Sequence, residues 1–138
     1  MKINVMLDPG AYLPEYAHAA DAGADIRSPI SCRIPPHGST VINTGVHIEI
    51  PRGYVGMLKS KSGLNVKFDL TGEGVIDSGY SGSIQVKLYN HGNSAYFVER
   101  GDKITQLCIM PVESAEFVEV KELGATERGS AGFGSTGR

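Results

Sequence analysis

Asp77 stands in Gly74-Val75-Ile76-Asp77-Ser78-Gly79-Tyr80-Ser81-Gly82, between two stretches that read as strands. A carboxylate in a glycine-rich hairpin has two readings. It can bond its own backbone as a turn residue. It can also face a pocket as a general base, with the Tyr80 ring as a platform beside it. Two other segments combine a fixed cation with hydroxyls and glycine. One is Ser60-Lys61-Ser62-Gly63, and the other is Gly134-Ser135-Thr136-Gly137, flanked by Arg128 and Arg138. Exposed glycine amides, hydroxyl donors and a cation are what a phosphate chain needs. Either segment alone is equally an ordinary solvated loop. Neither is a Walker A loop, because no Gly-Lys-Ser/Thr follows a spaced glycine, and this argues against a P-loop ATPase or GTPase.

Charge is distributed unevenly. The chain carries 13 Lys and Arg against 15 Asp and Glu, a net charge of −2. No global basic field exists, which argues against a general nucleic-acid binder. Within that total, residues 51–70 sum to +3, from Arg52, Lys59, Lys61 and Lys67 against Asp69. Residues 128–138 carry Arg128 and Arg138 and no acid, whereas residues 101–127 sum to −4. Both positive segments are the ones rich in hydroxyls and glycine, so together they point to a small polyanion.

The elements that must position these groups are short strands. Alternation of apolar and polar residues marks Lys2 to Leu7, Val46 to Ile50, Tyr54 to Leu58, Ile84 to Tyr89, Ala95 to Val98, Ile104 to Val112 and Ala115 to Val120, with turn residues between them. Only Ser60 to Phe68 reads as a helical turn or two. The pattern predicts an all-β, jelly-roll-like sandwich or barrel with one short helical segment. A length of 138 residues suits one core. We therefore expect a β domain over residues 1–123 and a glycine-rich, flexible arm over residues 124–138. The arm holds five of the 18 glycines and no Val, Ile, Met or Tyr. Phe133 sits in its middle, either tucked onto the protein's own surface or poised to stack on a ligand.

Cys32 and Cys108 are too far apart for a metal knuckle or a redox pair and read as reduced core thiols of a cytoplasmic protein. No apolar run approaches the ~20 residues that span a bilayer, and the N-terminus lacks a signal-peptide core. No membrane association is expected. His18, His37, His47 and His91 fit no triad or ligand spacing and are read as surface or core residues. Ala22-Gly23-Ala24-Asp25-Ile26 alone is a glycine-kinked strand with one acid. Gly101-Asp102-Lys103-Ile104-Thr105-Gln106-Leu107 alone is a turn entering a strand, with Gln106 on the opposite face from Thr105 and Leu107.

Taken in order, these segments resemble the five motifs of the trimeric dUTP diphosphatase (dUTPase) family. Ala22 to Ile26 resembles the first, Lys61-Ser62-Gly63-Leu64 the second and Gly74 to Gly82 the third. Gly101 to Gln106 resembles the fourth, and Arg128 to Gly137 the fifth. The resemblance implies a jelly-roll fold and Mg²⁺-dependent hydrolysis of dUTP to dUMP and diphosphate, removing dUTP and supplying dUMP for thymidylate synthesis. It implies that Asp77 is the general base and that Tyr80 packs on deoxyribose, leaving no room for a 2′-hydroxyl. Lys61, Ser62, Gly63 and Gln106 would contact phosphate, and the backbone at Gly74 would read uracil. Arg128, Gly134, Ser135 and Thr136 would grip the outer phosphates while Phe133 stacks over the base. Asp25 would orient other groups, with Mg²⁺ held mainly by substrate phosphates and water. The family builds homotrimers with shared active sites.

Lys61 departs from the family's usual Arg, Ser130-Ala131 from Glu-Gly, and Gly79 from a common Asp. Two alternatives remain beside a working dUTPase. One is a dCTP deaminase, against which the complete fifth motif argues. The other is a nucleotide-dependent switch with a regulatory protein partner.

Overall fold

Alternating side chains build the framework, and each strand turns its apolar residues to a common interior. The computed structural model describes residues 1–137. The order is β1 (Val5–Leu7), β2 (Ala24–Arg27), β3 (Cys32–Ile34), β4 (Ser39–Asn43), β5 (Val46–Ile48), β6 (Tyr54–Lys59), α1 (Ser62–Phe68), β7 (Leu70–Thr71), β8 (Gly74–Ile76), β9 (Gln85–Asn90), β10 (Tyr96–Val98) and β11 (Lys103–Pro111). β9 shows the rule most clearly, with Val86, Leu88 and Asn90 buried and Gln85, Lys87 and Tyr89 exposed.

All pairings are antiparallel. A four-stranded sheet runs β2-β11-β6-β8 and a three-stranded sheet runs β4-β9-β7, with two-stranded ribbons β1-β5 and β10-β3 beside them. Ile26, Leu58, Ile76 and Leu107 from the first sheet meet Ile42, Leu70, Val86 and Leu88 from the second in one buried cluster. The all-β, jelly-roll-like class expected from the alternation is the fold observed, and its one helix lies within the stretch expected to be helical. That helix ends at Asp69, whose backbone turns left-handed with φ 55°. β3 and β4 escaped the periodicity because they are short and turn apolar Val41 outward.

The strand expected over Ala115 to Val120 is absent. β11 ends at Pro111, Val112 N–H donates to the Gly53 carbonyl (2.9 Å), and the chain then runs unpaired. Phe117 and Leu123 are 94% and 89% exposed. Alternation encodes an extended backbone with one apolar face, but a strand also needs a neighbour's backbone, and this segment has none among the described residues. Cys32 and Cys108 are free thiols, both half-buried. Among the described residues no helix is long and apolar enough to cross a membrane.

Asn90 is one of the polar residues buried with the core. Its amide nitrogen donates to the carbonyls of Ile34 (3.2 Å) and Ser94 (2.9 Å), and its oxygen accepts from Gly92 N–H (2.9 Å). One side chain thus joins β9 to β3 and closes the turn after β9. Replacing it strands buried donors and acceptors. Asn90→Ala is therefore expected to lower the free energy of unfolding by about 2–4 kcal/mol in a urea titration at fixed protein concentration. A change under about 0.5 kcal/mol would show that these bonds contribute no net stability.

Candidate active site

The strand order gathers segments that lie far apart in the sequence. Asp25 on β2 sits opposite Gln106 on β11, Gln106 sits opposite Lys59 on β6, and Gly74 on β8 sits opposite Leu58. Lys61 follows β6 directly as the N-cap of α1. Three of the five singled-out segments therefore lie on strands of one sheet, and a fourth, Lys61 to Leu64, begins just beyond the end of β6.

Asp25 is the focus of this group and only 6% exposed. Its Oδ1 accepts from Lys61 Nζ, and its Oδ2 accepts from Lys103 Nζ at 2.6 Å. Burial pushes the Asp25 pKa up, but the hydrogen bonds from Lys103 and Lys61, with their charges, outweigh it and hold the carboxyl below its ordinary range. Two ammoniums against one carboxylate leave the cluster net positive. Lys103 belongs to the fourth segment but was not singled out from sequence, because alternation gives no sign that it reaches across to β2.

Gln106 Nε2 donates to the Ser60 carbonyl (3.1 Å), and Thr105 Oγ1 donates to the Lys59 carbonyl (2.9 Å). A methyl group at Gly23 would lie 2.7 Å from Gln106 Oε1 and 3.2 Å from Cys108 Sγ, so this glycine makes room for the glutamine. Glu73, another residue the sequence did not flag, braces the segment from the opposite side. It accepts from Lys59 Nζ (2.5 Å), Ser60 N–H (3.1 Å) and Ser60 Oγ (2.9 Å). The entry to Ser62 and Gly63 is thus clamped from both flanks. A methyl group at Gly63 would meet nothing within 4 Å, so its space is open to an approaching group.

Asp77 and Tyr80 lie in the loop after β8. The turn is closed by Tyr80 N–H donating to the Asp77 backbone carbonyl (3.1 Å). The exposed Asp77 carboxylate makes no hydrogen bond among the described residues, so the turn does not consume it. Gly79 has φ +89°, a conformation that disfavours the aspartate common in the family. The Tyr80 hydroxyl donates to the Ser83 carbonyl (3.0 Å), and its ring fills the space a Cβ at Gly82 would need.

The arm stands apart. Arg128, Phe133, Gly134, Ser135 and Thr136 line an open concavity of about 450 Å³. The hydrogen bonds of residues 126–137 stay within the arm, including Arg128 Nε to the Ala131 carbonyl (2.9 Å). Phe133 is fully exposed, so it does not tuck onto the protein's own surface. Three groups result in one chain: the Asp25 cluster, the Tyr80 loop and the arm. No hydrogen bond joins any two of them among the described residues.

No three His, Cys, Asp or Glu side chains converge on a metal site among the described residues. Both Asp25 oxygens are already engaged by lysines. This donor set suits a hard cation that arrives with a ligand's phosphates and keeps its waters, rather than one caged by the protein.

Comparison with known proteins places this arrangement. The dUTPase family model matches residues 10–137. The deoxyuridine 5′-triphosphate nucleotidohydrolase of Gloeothece citriformis is 43% identical over 99% of this chain and 97% of its own length. That of Chlamydia muridarum is 44% identical over 99% of both. The dUTPase of Staphylococcus bacteriophage 80alpha, solved with dUPNHPP, superposes with a TM-score of 0.94 at 33% identity, covering 99% of each chain. A mutant dUTPase from phage phi11 of S. aureus, whose structure describes the coordination of a structural Mg(II) ion, has a TM-score of 0.84 at 31% identity, over 91% of this chain and 100% of that one. With the five motifs, the fold and near-complete coverage in agreement, the chain belongs to the dUTPase family.

Proposed function

We propose that the chain hydrolyses dUTP to dUMP and diphosphate, with Asp77 as general base. The observation that carries this reading is the strand order β2-β11-β6-β8, which brings four of the motif segments to one sheet and its β6–α1 junction, with the net-positive cluster of Asp25, Lys61 and Lys103 among them. Asp77 takes a proton from water, and the water oxygen bonds to the α-phosphorus. The bond from that phosphorus to the bridging oxygen breaks, and its electron pair leaves with diphosphate. A carboxylate free of protein partners is available for the proton.

Lys61 and Lys103, tethered by Asp25, supply positive charge to the phosphates, with the amides and hydroxyl of Ser62 and Gly63 beside them. Lysine acts there as a point charge and not as a bidentate fork. Among the described residues β8, which begins at Gly74, is an edge strand, so one row of its backbone groups has no strand partner and is free to read the edge of uracil. The Tyr80 ring packs on the sugar. Phe133 stacks on the base, worth on the order of 1 kcal/mol beyond area burial, while Arg128, Gly134, Ser135 and Thr136 hold the outer phosphates. Mg²⁺ supplies charge neutralisation of the triphosphate and is held mainly by those phosphates and water.

The working form is a homotrimer in which each site joins groups from neighbouring chains. Its support is the separation of the three groups within one chain and the unpartnered apolar run from Phe117 to Leu123. Two free thiols suit the cytoplasm.

With dUTP and Mg²⁺ the protein is expected to release diphosphate, with little from UTP, dCTP or dTTP. Asp77→Asn should lower kcat by about 10²–10⁴-fold with a modest change in KM; full activity in that variant would remove Asp77 from the role. Deleting residues 124–138 should leave the melting temperature of the core nearly unchanged and abolish most turnover, whereas a collapse in melting temperature would make the arm structural. Asp25→Asn should cost about 1–3 kcal/mol of stability at neutral pH, since it leaves two partly exposed ammoniums facing each other. Because the folded Asp25 pKa is depressed, its contribution is complete above the ordinary carboxylate value of 3.8 and disappears as pH falls through the lower folded one. The wild-type advantage over Asp25→Asn in urea titrations should therefore shrink in acid.

A further inference from the structure

The Tyr80 loop is held from outside its own sheet by the corner between β4 and β5. Thr44 donates to the Ile84 carbonyl from both N–H (3.0 Å) and Oγ1 (2.8 Å), and Ile84 N–H donates to the Val46 carbonyl (2.8 Å). Ser83 Oγ bonds Asn43 Oδ1. These contacts fix the far end of the loop. One contact reaches its tip: His47 Nδ1 lies 2.8 Å from the carbonyl of Ser81, next to Tyr80. The other ring nitrogen, Nε2, lies 3.1 Å from Asp8 Oδ1. Asp8 is itself pinned, its N–H donating to the Gly45 carbonyl (2.8 Å) and its carbonyl accepting from Ala11 N–H (3.0 Å).

Both partners of the ring are acceptors. A backbone carbonyl has no proton to give, and neither has an ionised carboxylate. A neutral imidazole carries one N–H and satisfies one of the two, whereas an imidazolium satisfies both. His47 and Tyr80 also line one cavity of about 400 Å³, together with Met6 and Gly79.

We propose that His47 is a positioning residue for the nucleotide site: as an imidazolium bridging Asp8 and the Ser81 carbonyl, it holds the Tyr80 loop in its binding shape, and dUTP binding weakens when it loses its proton. The proposal rests on the reading that Tyr80 contacts the substrate's sugar. His47 lies 39 residues from Asp8 and 34 from Ser81, so no local pattern marks it.

The surroundings agree in sign. The Ser81 carbonyl first, and then the Asp8 carboxylate, raise the His47 pKa above the ordinary imidazole value, against a smaller lowering by burial. The bridge is therefore complete below the ordinary value of 6.5 and is lost as pH rises through the higher folded one. On β1, the residue opposite His47 is uncharged Met6. Beyond the end of β5, Glu49 lines the cavity but is bonded to Asn4 Nδ2 (2.6 Å). Lys2 and Arg52 line an adjacent cavity with Ser78 and Gly79. On the loop, the Tyr80 hydroxyl is bonded to Ser83. Among the described residues, Asp8 is the one carboxylate bonded to the ring.

The test pairs nitrogen-15 NMR of histidine-labelled protein with steady-state kinetics on dUTP between about pH 5.5 and 8.5. The expected spectrum has both His47 nitrogens protonated near neutral pH, with a titration midpoint above ~6.5. Across that midpoint wild-type KM should rise about fivefold with kcat flat. His47→Gln should show the raised KM at every pH and no such inflection, since an amide cannot span both partners. Asp8→Asn should move the midpoint down. The substrate's own phosphate titration is common to all three proteins and cancels in the comparison. A single protonated nitrogen near neutral pH, or a KM profile that survives His47→Gln unchanged, would overturn the proposal. Failure of the dUTPase reading itself would appear separately, as no turnover by wild type, and would leave the NMR titration intact.

Discussion

A buried carboxylate needs compensating charge, and Asp25 obtains it from two lysines on different strands. This constraint ties together the β2, β6 and β11 region of the four-stranded sheet. Lys61 is held at the point where β6 becomes α1, and Lys103 where the chain enters β11. Both ammoniums are held at one place by the same carboxylate. Arginine in either position would bring a broader, flatter group. Lysine keeps a compact charge that a single carboxylate oxygen can seat, and each oxygen of Asp25 seats one.

The rest of the site is built on a different economy. The Tyr80 loop owes its shape to contacts with the β4–β5 corner and to His47, not to the Asp25 sheet from which it departs. Among the described residues the arm's hydrogen bonds lie within its own turns. Among the described residues one chain thus presents a charged cluster around Asp25, a braced loop around Tyr80 and a glycine-rich arm, with no hydrogen bond joining any two of them.

Legibility from sequence followed the range of the interactions. β9 and β6 were plain because their apolar faces repeat within a few residues. Asp77, Tyr80 and Phe133 stood out because turn chemistry and glycine surround them locally. Lys103, Glu73 and His47 did not stand out, because each acts on a residue brought near only by folding. The misplaced strand over Ala115 to Val120 has the same origin in reverse. Its alternation is real, but among the described residues no backbone pairs with it. Gly79 reads as a departure from the family in one dimension, and its positive φ shows why glycine is comfortable there.

The central claim is that water, activated at Asp77, attacks the α-phosphorus. Turnover of dUTP in oxygen-18 water, followed by mass spectrometry of the products, tests it most directly. The account predicts one labelled oxygen in dUMP and none in diphosphate, because the bond that breaks lies between the α-phosphorus and the bridging oxygen. Label in diphosphate instead would place the attack at the β-phosphorus and contradict the account.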